Sequence, residues 1–434
     1  MLCSPAAFRF ATLRWMPVAF FHPTAPMLPG TVATAPTASS TQALHAGLQI
    51  DPATGAIAPG ISMSINNVFV PGEAAFSADG VDDLAQLPYL YARWGNPTVR
   101  QLELRLAALE GAEDTLATAT GVAAVAAVFF TLLKAGDHLI VSDVCYAGAN
   151  ELARKVLPDF GVEVTAVNLS DLDALRAALR PNTRLVHAET PCNPLLRLTD
   201  LAAVAQIAHA KGALLSVDST LATPVLTRPL AFGADLVVHS LSKFINGHGD
   251  ALGGSVAGRR ELIAKLRARA GVYLGATLSA HSAWLIQRGL DTLGVRLQQS
   301  SQTALQLAHW LSQHPAVKDV IYPGLPSHPQ HALAQRQMTS GGAMLTFQVR
   351  GDAPAMARQM ARRLRHIHCA FSLGHQRSLI VLLGTDDMMR STYALHGEAL
   401  ADYQRYAGEG VFRLSVGLEC ADDLITDLAA ALAP

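Results

Sequence analysis

The chain has 434 residues, half of them hydrophobic, and its 33 lysine and arginine side chains nearly balance its 34 aspartate and glutamate side chains. A chain of this length can bury a large core in two or three domains, and a balanced charge without a basic stripe does not favour a nucleic-acid partner. Five cysteines without a CxxC pair argue against a disulfide framework or a zinc site, and they predict a protein of the reducing cytoplasm.

Residues 1–42 are rich in Ser, Thr and Pro, and no carboxylate precedes Asp51. We interpret them as a disordered extension. A targeting peptide is one alternative, although the apolar stretch at 16–21 is short for a signal peptide, and a natural start at Met27 is another. Residues 43–95 show little regular periodicity and form a separate N-terminal arm in this interpretation.

Residues 116–133 contain no charged side chain over eighteen positions, which approaches the length of a membrane-spanning helix. Thr118, Thr120, Gly121 and many alanines make this segment only weakly apolar. We therefore predict a buried helix that begins near Thr120, and no membrane association.

Strands and helices alternate along residues 96–294. Helical periodicity predicts helices at 100–110, 150–156, 171–179 and 201–210, and short apolar runs predict strands at 139–141, 162–165, 185–187, 214–217 and 236–238. This alternation predicts an α/β fold with a mostly parallel sheet between helices. A long helix over 295–312 and a strand over 343–349 predict a second, smaller α/β domain at residues 295–434.

Polar tripeptides follow three of the predicted strands where each strand ends. They are Ala188-Glu189-Thr190, Asp218-Ser219-Thr220 and Ser240-Leu241-Ser242. Because ligands bind at the carboxyl ends of the strands in such sheets, we predict a single site at this edge.

Lys243 comes directly after the third tripeptide. Desolvation at the end of a buried strand lowers the pKa of a lysine, and a neutral amine can form a Schiff base. An isolated lysine at such a position is usually a solvated charge, so the assignment depends on the residues around it.

Three further features suit one cofactor. Asp218 can pair with a protonated heterocyclic nitrogen, although an Asp before two hydroxyl residues also suits a helix N-cap. Thr120-Gly121-Val122 opens an apolar helix whose N–H groups attract a phosphate, and Ser240 and Ser242 add hydroxyl donors. Tyr146 offers a ring for stacking. With the amine, these features predict binding of pyridoxal 5′-phosphate (PLP).

A series of short stretches matches one family pattern in order. They are Tyr91-Ala-Arg93-Trp-Gly-Asn96-Pro97-Thr98, Leu109-Glu-Gly111 with Thr120-Gly121, Glu189-Thr-Pro-Cys-Asn193-Pro194, Val217-Asp218-Ser-Thr220, Ser240-Leu-Ser242-Lys243 with Gly247-His248, Ser372-Leu-Gly374, and Arg413-Leu-Ser415-Val-Gly417-Leu-Glu419. From about His45 to its end, the chain resembles the Cys/Met-metabolism (trans-sulfuration) family of fold-type I PLP-dependent enzymes. This family includes cystathionine γ-synthases, cystathionine lyases, methionine γ-lyases and homoserine-ester sulfhydrylases.

The resemblance implies cofactor roles for individual residues. Lys243 would be the Schiff-base lysine and proton shuttle, and Asp218 would pair with the pyridine nitrogen. Asn193 would bond the ring hydroxyl oxygen, while Tyr146 would stack on the ring and assist protonation of the leaving group. The implied phosphate ligands are Gly121, Val122, Ser240 and Ser242.

The resemblance also implies roles toward the substrate and a neighbouring subunit. The residues matching Tyr91 and Arg93 reach the phosphate of a neighbouring subunit, which implies a homotetramer, a dimer of dimers with shared active sites. Arg413 would clamp the substrate α-carboxylate as a planar fork, helped by the Ser372 backbone. Arg413 is otherwise a surface charge, but its apolar neighbours favour an inner strand.

The reaction that the resemblance implies is γ-elimination or γ-replacement on a homoserine-derived sulfur amino acid, and the sequence leaves that choice open. A β-elimination, as in cystathionine β-lyases, and a non-catalytic relative are the alternatives. Arg377 stands where cystathionine-handling members often carry Glu, and an arginine there repels the distal ammonium of cystathionine. We expect Arg377 to favour an anionic or uncharged γ-substituent, such as a succinyl or acetyl ester, if it faces the pocket rather than solvent.

Overall fold

The computed structural model describes residues 38–434 except residues 49, 52, 73–76, 79–80 and 392. The predicted extension therefore lies outside the described residues up to residue 37, whereas residues 39–42 belong to the first helix, α1 (Ser39–His45). Helix α2 (Pro97–Glu110) packs against α1, and its range includes the amphipathic helix that the sequence predicted. Residues 38–434 form one compact unit.

A seven-stranded sheet forms the centre of the first half of this unit. Its strands are β1 (Asp114–Thr118), β2 (His138–Ser142), β3 (Glu163–Val167), β4 (Thr183–Glu189), β5 (Leu214–Asp218), β6 (Leu236–Ser240) and β7 (Gly254–Gly258). They lie in the order β1-β7-β6-β5-β4-β2-β3. β7 runs antiparallel to both of its neighbours, and the other six strands all run in one direction. The predicted mostly parallel sheet is confirmed.

Helices cover both faces of this sheet. They are α3 (Gly121–Leu132), α4 (Ala147–Glu151), α5 (Leu172–Ala178), α6 (Leu201–His209), α7 (Thr223–Leu226), α8 (Arg260–Leu266) and α9 (Ala280–Asp291), with π-helical turns at Leu152–Val156 and Arg267–Tyr273 and 3₁₀ turns at Leu84–Gln86, Leu157–Phe160 and Pro229–Phe232. Leu139 packs with the residues of α3, and the adjacent Ile140 packs with those of α6. Successive strand residues are thus buried on opposite faces, as expected for a parallel sheet between two helical layers.

A second, five-stranded sheet lies in the C-terminal part. Its strands are β8 (Val317–Ile321), β9 (Met344–Val349), β10 (His368–Cys369), β11 (Leu379–Gly384) and β12 (Gly410–Ser415), in the order β10-β11-β12-β9-β8. The accompanying helices are α10 (Leu293–Gln313), α11 (His331–Gln337), α12 (Ala353–Arg363), α13 (Thr385–Met389), α14 (Gly397–Ala407) and α15 (Ala421–Leu432). Phe347 and Phe412 stack on adjacent strands within the core that α10 and α15 cover.

Two strands of the first sheet are absent from the sequence prediction. β1 lies in and before the uncharged stretch 116–133, which was assigned to a helix only from Thr120 onward. β7 reads Gly-Ser-Val-Ala-Gly, and such small residues give a weak strand signal. Its first glycine is required by packing, because a Cβ on Gly254 would lie 2.2 Å from the Thr120 carbonyl oxygen. No helix within the described ranges has the length and apolarity to cross a membrane.

Candidate active site

Lys243 lies just beyond the carboxyl end of β6, as predicted. Its side chain is half-buried, and Nζ donates a hydrogen bond to Ser372 Oγ at 2.7 Å. Burial, followed by the nearby positive charge of Arg413, lowers the pKa of Lys243. The fold therefore makes this amine easier to deprotonate, and the neutral amine is the form that reacts with a carbonyl.

Arg413 lies on the central strand β12 and is only 7% exposed, so it is not a surface charge. Nη1 donates to Asn193 Oδ1 and Nη2 donates to the Ser372 carbonyl, both at 2.8 Å. Burial lowers the pKa of Arg413 to about 10, and the charge of Glu189 partly offsets this effect. A buried guanidinium whose hydrogen-bond partners among the described residues are neutral is well suited to bind a carboxylate.

The segment that carries Ser372 lies directly against the lysine. Ser372 adopts a left-handed φ of 79°. Two residues later, Gly374 has a φ of 75°, and a Cβ there would lie 2.5 Å from the Phe244 amide nitrogen and 2.8 Å from the Lys243 carbonyl carbon. Only glycine allows this close approach, which brings the C-terminal part of the chain to the end of β6.

Asp218 ends strand β5 and is 7% exposed. Its Oδ1 accepts a hydrogen bond from the Thr220 amide at 2.9 Å, which forms a local turn. The next helix, α7, begins at Thr223 with Ala222 as its cap, so Asp218 is not a helix N-cap. The carboxylate lines the same cavity as Lys243.

The N-terminus of α3 also lines this cavity. Thr120 caps the helix, because its Oγ1 accepts from the Ala123 amide at 3.0 Å. The Gly121 and Val122 amides have no acceptor among the described residues. A Cβ on Gly121 would lie 2.8 Å from Ser240 Cβ, so glycine is needed to bring the helix end onto Ser240. Two such amides beside a serine hydroxyl are suited to bind an anion.

Tyr146 precedes α4, and its side chain is 44% exposed. Its backbone amide donates to Glu189 Oε2 at 2.6 Å, and the Asn193 amide donates to Glu189 Oε1 at 2.7 Å. One buried carboxylate thus joins the loop after β2 to the loop after β4. Burial, followed by the charge of Asp218, raises the pKa of Glu189.

A cavity of about 280 Å³ is lined by most of the predicted residues. The predicted residues that line it are Lys243, Asp218, Tyr146, Asn193, Gly121, Val122, Ser240 and Ser242. Arg413 and Ser372 adjoin it through their bonds to Asn193 and Lys243. A cavity therefore lies at the carboxyl ends of the strands, where the sequence predicts a single site.

Three predicted residues besides Arg413 and Ser372 are not among those that line this cavity. Tyr91 is 45% exposed, and Arg93 lies over its ring and donates to the Val272 carbonyl at 2.8 Å. Arg93 borders a different cleft, beside the start of α2. The Arg377 side chain is exposed, and its amide donates to His375 Nδ1 at 3.0 Å. Whether Arg377 faces a bound substrate stays a prediction.

Sequence reasoning did not assign roles to two cavity residues, Glu189 and Thr220. Both lie in the tripeptides recognised at the strand ends, so their positions were available from the sequence. Thr220 Oγ1 accepts from the Ser240 amide at 2.8 Å and thereby joins the ends of β5 and β6. Leu252 and Leu373 provide apolar lining. Leu373 lies in the matched stretch Ser372-Leu-Gly374 but was given no role, and Leu252 carried no recognisable signal.

Comparisons with known proteins agree with this geometry. Residues 40–433 match the family described as Cys/Met metabolism PLP-dependent enzyme. A canavanine gamma-lyase from Pseudomonas canavaninivorans is 44% identical over 401 residues, which cover 91% of this chain and 96% of that protein. An O-succinylhomoserine sulfhydrylase from Pseudomonas aeruginosa is 44% identical over 350 residues, covering 79% of this chain and 83% of the relative. The crystal structure of a cystathionine gamma-lyase from Lactobacillus plantarum, complexed with L-serine, superposes with a TM-score of 0.80 at 35% identity and covers 91% of this chain and 98% of that one.

Fold and cavity together define the class of fold-type I PLP-dependent enzymes. Within that class, the chain belongs to the Cys/Met metabolism family, as the sequence resemblance predicted. It is an enzyme of the γ-elimination and γ-replacement type, and its cofactor is PLP. The residues present fit this cofactor: the amides of α3 and Ser240 suit a phosphate, Asp218 suits a protonated ring nitrogen, and Lys243 is a half-buried amine.

Proposed function

We propose that Lys243, Asp218, Tyr146 and Arg413 carry the reaction on an L-amino acid with a leaving group at Cγ. When bound, PLP supplies an electron sink that makes the Cα proton of the amino acid acidic. Lys243 accepts that proton at Nζ and returns it, and Asp218 keeps the ring nitrogen protonated. Tyr146 Oη delivers a proton to the leaving group.

Further residues hold the reactants in place. Gly121, Val122, Ser240 and Ser242 bind the cofactor phosphate, and Asn193 holds the ring oxygen. Arg413 binds the α-carboxylate as a planar fork. Ser372 is the observation that carries this assignment, because its hydroxyl accepts from Lys243 and its carbonyl accepts from Arg413. The proposed proton acceptor and the proposed carboxylate clamp thus both contact the same residue. This proximity suits an α-amino acid, whose Cα proton and carboxylate are on adjacent carbons.

The favoured substrates are homoserine derivatives with an uncharged or anionic γ-substituent, such as O-succinylhomoserine or O-acetylhomoserine. Arg377 is proposed to face the bound substrate, where its positive charge would disfavour the distal ammonium of cystathionine. The 44% identical O-succinylhomoserine sulfhydrylase supports it independently. A second candidate is canavanine, since two canavanine gamma-lyases are 44% identical over about nine-tenths of this chain.

A product screen tests the substrate. The purified enzyme is given O-succinylhomoserine, canavanine, methionine and cystathionine in turn, with and without a thiol, and 2-oxobutanoate and thioether products are measured. We expect the highest kcat/KM with O-succinylhomoserine, and Arg377→Glu should shift the preference toward cystathionine. A preference for cystathionine in the unmodified enzyme contradicts the proposal, and a preference for canavanine selects the second candidate.

The N-terminal arm, residues 43–95, is proposed to bind a second copy of the chain. It exposes large apolar side chains, of which Met63 is 67%, Val68 91% and Phe69 51% exposed. Exposed apolar stretches of this extent are typical of protein interfaces. Tyr91 and Arg93 would then reach the phosphate site of the partner in a homotetramer. Residues 96–294 would form the PLP-binding domain and residues 295–434 the C-terminal domain.

Mixed oligomers test this shared site. Lys243→Ala and Arg93→Ala subunits are each expected to be inactive alone, and mixing them should restore part of the activity, because one site then keeps both residues. A monomer in light scattering, or no recovery on mixing, contradicts the shared site. A cytoplasmic location is also proposed, since the four described cysteines are free, a state that a reducing compartment maintains.

A further inference from the structure

Glu189 is a buried titratable group of the cavity to which the reaction above gives no role. It is 3% exposed, lies at the end of β4 and pairs in register with Asp218 on β5. Burying a carboxylate is costly unless donors compensate it, so such a residue is retained for a reason. Its two donors identify that reason.

Each oxygen of Glu189 accepts from the backbone of a different cofactor-facing loop. Oε2 accepts from the Tyr146 amide at 2.6 Å, and Oε1 accepts from the Asn193 amide at 2.7 Å. The two loops follow different strands, β2 and β4. Within the described chain, this carboxylate joins the residue that stacks on the ring to the residue that holds the ring oxygen.

The connection continues from Asn193 to the lysine. Asn193 Oδ1 accepts from Arg413 Nη1, Arg413 Nη2 donates to the Ser372 carbonyl, and Ser372 Oγ accepts from Lys243 Nζ. A displacement of the Asn193 loop is therefore transmitted to the carboxylate clamp. Glu189 itself lies close enough to Arg413 to raise the pKa of that guanidinium against the effect of burial.

We propose that Glu189 is a positioning residue, which fixes Tyr146 and Asn193 against the cofactor and, through Asn193, sets the Arg413 fork. This inference rests on the cofactor and substrate roles proposed above for those three residues. A glutamine at this position keeps the size but offers only one acceptor oxygen, so one of the two amides faces an NH₂ group and loses its bond.

The test compares Glu189→Gln with Glu110→Gln. Glu110 is equally buried, at 2% exposed, but it bonds His239 and does not line the cavity, so it controls for the loss of a buried carboxylate. PLP affinity is measured by titrating the apoenzyme, and ring orientation by the visible circular dichroism of the bound cofactor. We expect Glu189→Gln to weaken PLP binding and to raise KM by about 10- to 100-fold each, as for a buried donor left without a partner, and Glu110→Gln to change neither.

Equal PLP affinity, dichroism and KM in Glu189→Gln and the unmodified enzyme overturn the proposal. If Glu189→Gln fails to fold, Glu189→Asp replaces it, because the shorter side chain keeps the charge but cannot reach both amides. It should still weaken PLP affinity by at least about threefold, and an unchanged affinity again overturns the proposal. Both variants are assessed by their PLP affinity, so the results remain interpretable even if the substrate proposed above is wrong.

Discussion

Two regions of the molecule bury charged side chains, and they differ in whether those charges form ion pairs. Beneath α2, Arg267 Nη1 lies 2.9 Å from both oxygens of Glu103, while Nη2 lies 3.2 Å from Asp114 Oδ2 and 2.7 Å from the Thr115 carbonyl. Around the cavity, by contrast, Lys243 and Arg413 form hydrogen bonds with neutral groups of the described ranges. The first region matches its charges within the chain, and the second does not.

The pKa shifts differ in the same way. Burial by itself raises the pKa of Asp114, but the charges of Arg267 and Arg100 hold that pKa below its ordinary value. Burial, in contrast, lowers the pKa of Lys243 and of Arg413. Matched buried charges are costly to break and serve the fold, whereas unmatched ones are available to a cofactor and a substrate. This difference separates structural from functional charge in the same chain.

The largest expected effect is on chemistry. Replacing Lys243 with Ala should lower kcat/KM by at least about 1,000-fold, because the group that moves the proton is lost, while folding is preserved. Activity is measured as release of the 2-oxo acid. Lys265→Ala, which removes an exposed lysine paired with Glu261, is the matched control and should keep full activity. More than a tenth of the activity in Lys243→Ala would place the proton transfer elsewhere.

The next effect is on stability. Arg267→Met leaves Glu103 and Asp114 buried with Arg100 as a remaining partner. The substitution should lower the free energy of unfolding by about 3 kcal/mol, the lower end of the range for breaking a buried ion pair, measured by urea denaturation. Arg176→Met, the same change in an exposed pair with Asp173, should have no measurable effect. Equal effects of the two substitutions would remove the contrast between the regions.

A smaller effect is expected for the carboxylate clamp. Arg413→Lys keeps the charge but loses the planar fork, so KM should rise by about 10- to 100-fold with a smaller change in kcat. Steady-state kinetics with the best substrate measure both constants. Arg350→Lys, at an exposed position after β9, is the control. An unchanged KM in Arg413→Lys would mean that another group binds the carboxylate.

The smallest effect concerns pH and the cofactor-free protein. Because the pKa of Lys243 is lowered in the folded state, the unfolded chain binds more protons between the two pKa values, and stability rises with pH in that window. Lys243→Met should therefore be more stable than the unmodified apoenzyme near neutral pH, by roughly 1–3 °C in the melting midpoint. This difference should shrink as the pH approaches the ordinary lysine pKa of about 10.4. Melting curves across this range give the sign, and a less stable variant at neutral pH contradicts it.

The elements that carry the site were readable from the sequence because their signals are local. Apolar runs followed at once by polar tripeptides placed Lys243 and Asp218 at strand ends, and the structure confirms both positions. Thr120 was recognised as the start of α3 from its place before an apolar run. In contrast, β7 was missed, since its first residue, Gly254, is required by contact with the Thr120 backbone, which lies more than a hundred residues away along the chain.

The sequence by itself determined the class of chemistry, because the reactive groups and the turns that end their strands lie in short, contiguous stretches. Tertiary structure alone decided how those groups are joined. The contact of Arg413 with Asn193 and the two amide bonds of Glu189 link residues that the chain separates by 220, 43 and 4 positions. A carboxylate becomes a link between two loops only when the fold brings two donors to its oxygens, and local periodicity carries no information about that geometry.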